Sequence, residues 1–172
     1  MNRNNFSVRP VDYEGISPNT ETKPYVNEVP QILAFLREID IERDSMFNMD
    51  IATMDRRIRT DMDDMRVIWM LLCSDGRYGY AGMCSLQPMH NPSFQTYNYY
   101  LDNFHLKPEY CNLADVKTFY ELIKGWVILN DGSQIFISME NNNKLCSEIL
   151  YNLDYKRTYM VGLLDKWDDS KQ

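Results

Sequence analysis

The spacing of hydrophobic residues changes several times along the chain, and each change marks a predicted element. A short apolar stretch at residues 6–11 predicts a first strand, and the Pro-, Asn- and Thr-rich residues 12–26 predict a loop. Pro30 can open a helix, because its missing N–H would be unpaired there anyway. The apolar residues after Pro30 recur at i, i+3, i+4 and i+7, which is one helix face: Ile32, Phe35, Leu36 and Ile39. A second helix is predicted over residues 49–62.

The middle of the chain has the pattern of three strands. Residues 65–73, MRVIWMLLC, form a continuous apolar run of strand length, which predicts a central strand. The turn sequence SDGRYG follows, and residues 78–86 predict the returning strand. Pro88 and Pro92 predict a loop. Residues 97–107 contain strong β-forming side chains and predict a further strand.

The last part of the chain alternates between helix and strand. A helix is predicted over residues 113–129, and its inward positions are Val116, Phe119, Tyr120, Ile123 and Val127. The sequence NDG ends this helix, and a buried strand is predicted at 134–140. A helix at 143–153 and a strand at 158–164 complete the pattern. A strand, a helix and a strand in succession predict a parallel pair with a right-handed crossover, so the fold class is mixed α/β, or α+β.

Length and charge narrow the class of protein. The chain has 172 residues, 44% of them hydrophobic, which predicts one domain, 1–172, with a sizeable core. The net charge of -7 argues against a broad nucleic-acid surface, which needs a basic face. The tight arginine cluster Arg56, Arg57 and Arg59 is interpreted as a solvated helix face.

Targeting signals and metal-binding patterns were not found in the sequence. The N-terminus MNRNNFSVRP has no apolar segment typical of a signal peptide, and the longest apolar run, residues 67–73, is too short to cross a bilayer. The four cysteines form no CxxC pair, which indicates reduced thiols of a cytoplasmic protein. With two histidines in the chain, no metal site is expected.

Three segments resemble the GNAT acyltransferase family. VRPVDYEGI resembles its opening strand, YLDNFHLKPEY its fourth strand, and ISMENNNKLCSEILYNLDYKR its closing strand, helix and aromatic–Lys–Arg ending. The resemblance implies a GNAT-like fold: a central, mixed, twisted sheet flanked by helices, with a V-shaped splay between strands four and five. It also implies that acetyl-CoA, if it binds, contacts residues of the fourth strand and of two helix starts: Phe104, Leu106, Asn112, Ala114 and Asn143.

The resemblance fails at the loop that holds the cofactor's pyrophosphate in the family. The family has Arg or Gln, then Gly, then Gly or Ala, where this chain has Cys111, Ala114 and Val116. Asn112 and Asp115 are spaced like a helix N-cap and its N3 acid. A carboxylate at N3 is stabilised by the helix dipole and repels a phosphate at the same amides. We therefore predict a helix start that is satisfied by its own side chains.

The acid and base positions are also incomplete. The family's tyrosine acid aligns with Leu150. Tyr151 is the candidate catalytic tyrosine, but it lies one residue further along, about 100° around the helix. Asn143 matches a family residue that contacts the cofactor, but it can equally be a helix N-cap. Asp102 is predicted to share a strand face with Tyr100 and Phe104 and is the candidate base. Glu140, at the end of the next strand, is another candidate base, although a solvated or hydrogen-bonded strand-end carboxylate is the favoured interpretation. Alternation places His105 on the face opposite Asp102, so the two are not expected to form a dyad.

Two functions follow from this reading. One is a non-catalytic module that binds a protein partner or itself, without a cofactor, like the small GNAT-like proteins of tailed phages that the chain resembles. The alternative is an active acetyl-CoA-dependent N-acyltransferase, for which an acidic protein suits a cationic amine substrate. A nucleobase-modifying enzyme is disfavoured by the charge. Neither a membrane nor a nucleic acid is an expected partner, and a cytoplasmic or virion-associated location is expected.

Overall fold

The structure is a computed structural model that describes residues 6–11, 27–42, 50–75, 79–93 and 95–137. These residues form five strands and three α-helices. The strands are β1 Ser7–Pro10, β2 Ile68–Asp75, β3 Gly79–Asn91, β4 Thr96–Leu106 and β5 Gly132–Ile137. The helices are α1 Val29–Glu42, α2 Ile51–Asp63 and α3 Leu113–Leu129, with a 3-10 turn at Pro108–Tyr110 before α3.

The five strands form one mixed sheet in the order β1-β2-β3-β4-β5. The first three pairings are antiparallel, and β4 pairs with β5 in parallel, from Tyr97↔Gly132 to Leu101↔Ile137. Helix α3 connects these two strands, which confirms the predicted parallel pair joined by a helix. Residues 102–106 of β4 extend beyond the last described pair, and the rest of the predicted fifth strand lies outside the described residues.

Each face of the sheet is covered by helices, and this explains the continuous apolar run in β2. Met70 and Leu72 point into a core shared with α3, whereas Leu71 and Cys73 point into a core shared with α1. The predicted inward residues of α1 are all buried: Ile32, Phe35, Leu36 and Ile39. Those of α3 are also buried, except for the half-buried Tyr120: Val116, Phe119, Ile123 and Val127.

The predicted loop at Pro88 is wrong, because β3 continues through Pro88 to Asn91. Pairing between β2 and β3 ends at Ile68↔Leu86, so this extension has only β4 as a neighbour. A proline is tolerated there because one side of the strand is an edge without a ladder to break. Pro92 lies in the turn after the strand, as predicted.

A β-bulge in β4 changes which face its side chains occupy. Met83 pairs with His105 and Ser85 pairs with Asp102, so β4 contains one extra residue between the two pairs. Asn103 has a φ of 52°, and its side-chain amide donates to the Ser85 hydroxyl at 3.0 Å. The extra residue places Phe104 in the α3-side core with Leu101. The prediction that Asp102 and Phe104 lie on the same face of the strand is therefore wrong.

Two glycines offer a matched test of how closely the elements pack. A Cβ on Gly82 would lie 2.1 Å from the backbone oxygen of His105, whereas one on Gly125 in α3 would meet nothing within 4 Å. We expect Gly82→Ala to lower the free energy of unfolding by roughly 1–3 kcal/mol through overpacking. Gly125→Ala should raise it by about 0.5–1 kcal/mol, because alanine favours helix. Urea denaturation measures both, and equal effects would contradict the close β3–β4 approach.

Candidate functional site

The start of α3 is capped by the chain's own side chains. The backbone N–H of Asp115 donates to Oδ1 of Asn112 at 3.1 Å. The Asn112 side-chain amide donates in return to the Asp115 carboxylate at 2.7 Å. The Val116 N–H donates to the Asn112 carbonyl at 3.0 Å. The prediction of a self-capped helix start is confirmed, because the Asn112 side chain satisfies the Asp115 amide, one of the first-turn amides that a bound anion would otherwise use.

The residues around this cap are largely turned into the protein. Asp115 is only 9% exposed, so a carboxylate is held inside the first turn of α3. The Val116 side chain is fully buried in the α3-side core, and it does not border the approach to the helix start. Ala114 is half-buried, and its carbonyl accepts a hydrogen bond from Thr118. The Cys111 thiol donates to the Leu106 carbonyl.

The predicted cofactor contacts on β4 are core residues. The side chains of Phe104 and Leu106 are completely buried against α3. Any contact between these two residues and a cofactor would have to come from their backbone groups, so their role stays a prediction. Asn112 and Ala114 are described above, and Asn143 lies outside the described residues.

The candidate base Asp102 lies at the bulge. Its Oδ1 accepts the backbone N–H of Asn103 at 2.9 Å, and its carbonyl accepts the buried Ser85 hydroxyl at 3.1 Å. The side chain is half-buried. It follows Leu101, which forms the last described pair with β5, so it lies where β4 continues past its described partner. The role of Asp102 stays a prediction. Three related residues lie outside the described ones: Glu140, Leu150 and Tyr151.

A side-chain contact between α1 and β4 was not predicted from the sequence. His105 is 1% exposed, and its Nε2 lies 3.0 Å from Oε2 of Glu38, whose side chain is 47% exposed. Because of the bulge, His105 and Asp102 pair with Met83 and Ser85, two residues on the same face of β3. The prediction that His105 and Asp102 lie on opposite faces of the sheet is therefore wrong. Glu38 follows the inward residue Phe35 by three positions, and that helical spacing is the signal that could have identified it.

A buried carboxylate joins β1, β3 and the start of α1. Glu28 is 4% exposed and accepts two hydrogen bonds from the Arg9 guanidinium, at 2.6 and 2.5 Å. The Tyr80 hydroxyl donates to the same carboxylate at 2.7 Å. Burial, followed by the hydrogen bond to Glu28, raises the pKa of Tyr80 to about 12. The hydrogen bond to Glu28 raises the pKa of Arg9. This network ties elements together, and no sequence pattern had indicated it.

The arginine cluster on α2 is only partly a solvated face. Arg57 is mainly exposed, but Arg59 donates to Asp55 at 2.7 Å and is mostly covered. Arg56 and Arg59 border a groove between α1 and α2 together with Leu33. Within the described ranges, no three His, Cys, Asp or Glu side chains are grouped so that they could hold a metal ion. None of the described helices is both long and apolar enough to cross a membrane.

Comparison with known proteins identifies the fold. No family model and no curated protein matches the sequence. Among solved structures, a predicted acetyltransferase with acetyl-CoA from Clostridium acetobutylicum has a TM-score of 0.61, 11% identity, and coverage of 95% of this chain and 99% of its own. A ribosomal-protein-alanine N-acetyltransferase from Brucella melitensis has a TM-score of 0.62, 7% identity, and coverage of 93% and 98%.

A third similar structure is an aminoglycoside acetyltransferase from an uncultured soil metagenomic sample, in complex with trehalose. Its TM-score is 0.63 at 5% identity, with coverage of 91% of this chain and 92% of its own. The protein therefore has the fold of the GNAT acetyltransferases, and the described residues supply five strands of its open mixed sheet. At these identities the likeness defines the fold alone, and the activity has to be argued from the site.

Proposed function

We propose that this protein is a non-catalytic GNAT-fold module that acts by binding a protein partner. The observation that carries this proposal is the self-capped start of α3. In this fold the first turn of α3 is the place where backbone amides would hold the phosphates of a CoA-type cofactor. Here Asn112 occupies the Asp115 amide, and the Asp115 carboxylate adds negative charge at the same place. Both features oppose a second anion.

Exposed apolar side chains at the two ends of α3 support the binding role. Leu113 at its start is 60% exposed, and Ile128 and Leu129 at its end are 68% and 84% exposed. A single exposed apolar residue is ordinary, but Ile128 and Leu129 are adjacent, and grouped exposed apolar side chains mark sites of contact with other proteins. A particle component of a tailed phage, or a self-associating protein of the cytoplasm, would suit such a module.

A second candidate function is an acetyl-CoA-dependent N-acyltransferase acting on a cationic amine. Two carboxylates favour it, those of Asp102 and Glu38. Both lie beside the part of β4 that extends past its described pairing with β5. Negative charge there would attract an ammonium group. One similar structure is of an aminoglycoside acetyltransferase in complex with sisomicin, with a TM-score of 0.56 and 5% identity.

The two functions differ in acetyl-CoA binding. We expect no rise in the melting temperature of the protein with acetyl-CoA, and no thiol release with polyamines, aminoglycosides or peptide N-termini. A ligand at 100 times its Kd would add about 2.7 kcal/mol to the native state, which thermal denaturation detects easily. A clear rise together with turnover would overturn the module and support the enzyme.

One variant tests whether the Asp115 carboxylate opposes the binding of acetyl-CoA. Asp115→Asn keeps the shape of the cap and removes its charge, so it should increase acetyl-CoA affinity relative to the unmodified chain. Glu109→Gln removes an exposed charge from the preceding turn and serves as the control. If the two variants behave alike, the Asp115 carboxylate is not what excludes the cofactor. Val116 should be left unchanged, because it belongs to the core.

A further inference from the structure

The Glu38–His105 pair combines a fixed orientation with access to solvent. His105 is almost completely buried, and its Nδ1 has no hydrogen-bond partner among the described residues. An ionised carboxylate only accepts hydrogen bonds, so the hydrogen of this contact is assigned to Nε2 of the imidazole. The ring therefore directs its one described hydrogen bond to Oε2 of Glu38. About half of the Glu38 side chain remains exposed.

The surroundings of the pair hold the imidazole in place. The His105 ring lies 5.7 Å from the ring of Phe35, a fully buried residue of α1. Lys107 lies over the Phe35 ring at 5.9 Å, and Met83 of β3 pairs with His105 in the sheet. The pair is next to the bulge, in the portion of β4 that continues past Leu101↔Ile137. An amine that reached this edge of β4 from the α1 side would meet the Glu38 carboxylate.

We infer that, if the protein is an acyltransferase, Glu38 is the proton acceptor for its amine substrate and His105 is the positioning residue that holds the Glu38 carboxylate. This inference rests on the acyltransferase candidate described above. The ammonium substrate gives one proton to the Glu38 carboxylate, and the neutral nitrogen attacks the acyl carbon of a thioester such as acetyl-CoA. A C–N bond forms and the C–S bond breaks. The nitrogen loses its second proton, the departing thiolate takes up one proton, and Glu38 returns the other to solvent.

The test uses the full chain, acetyl-CoA and a panel of cationic amines, with thiol release as the measurement. Glu38→Gln should lower kcat/KM by about 10²–10⁴-fold, the usual contribution of a general base. Glu121→Gln, which removes an exposed carboxylate on α3, should leave kcat/KM unchanged.

Two substitutions distinguish a positioning role of His105 from a role in packing alone. His105→Gln keeps an N–H that can donate to Glu38, whereas His105→Leu fills the space without a donor. Positioning predicts that the glutamine variant retains kcat at least tenfold better than the leucine variant, and that the leucine variant changes the acid limb of the pH–rate profile. A role in packing alone predicts equal kcat at equal melting temperature, which would overturn the assignment of His105.

The experiment distinguishes failure of the Glu38 assignment from failure of the acyltransferase candidate. Turnover that is unaffected by Glu38→Gln overturns this inference and leaves the acyltransferase candidate intact. Absence of turnover with every amine overturns both, and it leaves the protein-binding module as the account of the fold.

Discussion

Replacing Phe104 with alanine is expected to lower the free energy of unfolding by about 3–5 kcal/mol, the usual cost of deleting a buried aromatic side chain. Phe104 is completely buried in the core between the sheet and α3, where Leu101 and Val116 also lie. The bulge at Asn103 is the reason that it points there. Chemical denaturation, read by circular dichroism, measures the loss.

The control for Phe104 is Tyr97→Ala on the same strand. Tyr97 is 40% exposed, and its ring contacts are with His90 and Tyr99, so its removal should cost much less. If Phe104→Ala is no worse than Tyr97→Ala, the side chain is not in the core and the bulge has been misplaced. In that case Phe104 would share the face of Asp102, as simple strand alternation predicts.

Replacing Glu28 with glutamine is expected to cost about 3–5 kcal/mol, because it breaks a buried ion pair and leaves one charge without its partner. Glu28 is 4% exposed and accepts both hydrogen bonds from Arg9 as well as one from Tyr80. The amide of glutamine cannot accept at both terminal atoms. The loss is measured by urea denaturation at neutral pH.

Tyr80→Phe is the matched control for this network. It removes a single hydrogen bond to the carboxylate and leaves the Arg9–Glu28 pair in place, so it should cost about 1.5–3 kcal/mol. A Glu28→Gln variant that is as stable as the unmodified chain would show that Arg9 and Glu28 are solvated separately. A double variant with Arg9→Met should recover part of the loss, since no charge then remains buried and unpaired.

The helices and most of the strands could be predicted from the sequence. The stripes of α1 and α3 follow from the i, i+3, i+4 spacing of residues such as Phe35 and Phe119, which depends only on local geometry. The unbroken apolar run around Leu71 predicts a strand covered on both faces, as β2 is. The cap formed by Asn112 and Asp115 was predictable for the same reason, since its partners are three residues apart.

The sequence-based predictions that were wrong depend on pairing between residues that are distant in the chain. Pro88 is in β3 because β2 stops short of it, and no local signal reports where a neighbouring strand ends. The bulge at Asn103 shifts every later residue of β4 by one position, so alternation assigned Phe104 and His105 to the wrong faces relative to Asp102.

The sequence by itself determined the order of the described elements, the fold class and the self-capped start of α3 at Asn112 and Asp115. Those features depend on residue type and on short spacings. Only the tertiary structure decided which polar groups meet: Arg9 with Glu28 across 19 positions and Glu38 with His105 across 67. The physical reason is that burying a carboxylate requires a donor from another element, and the sheet register and helix packing select that donor.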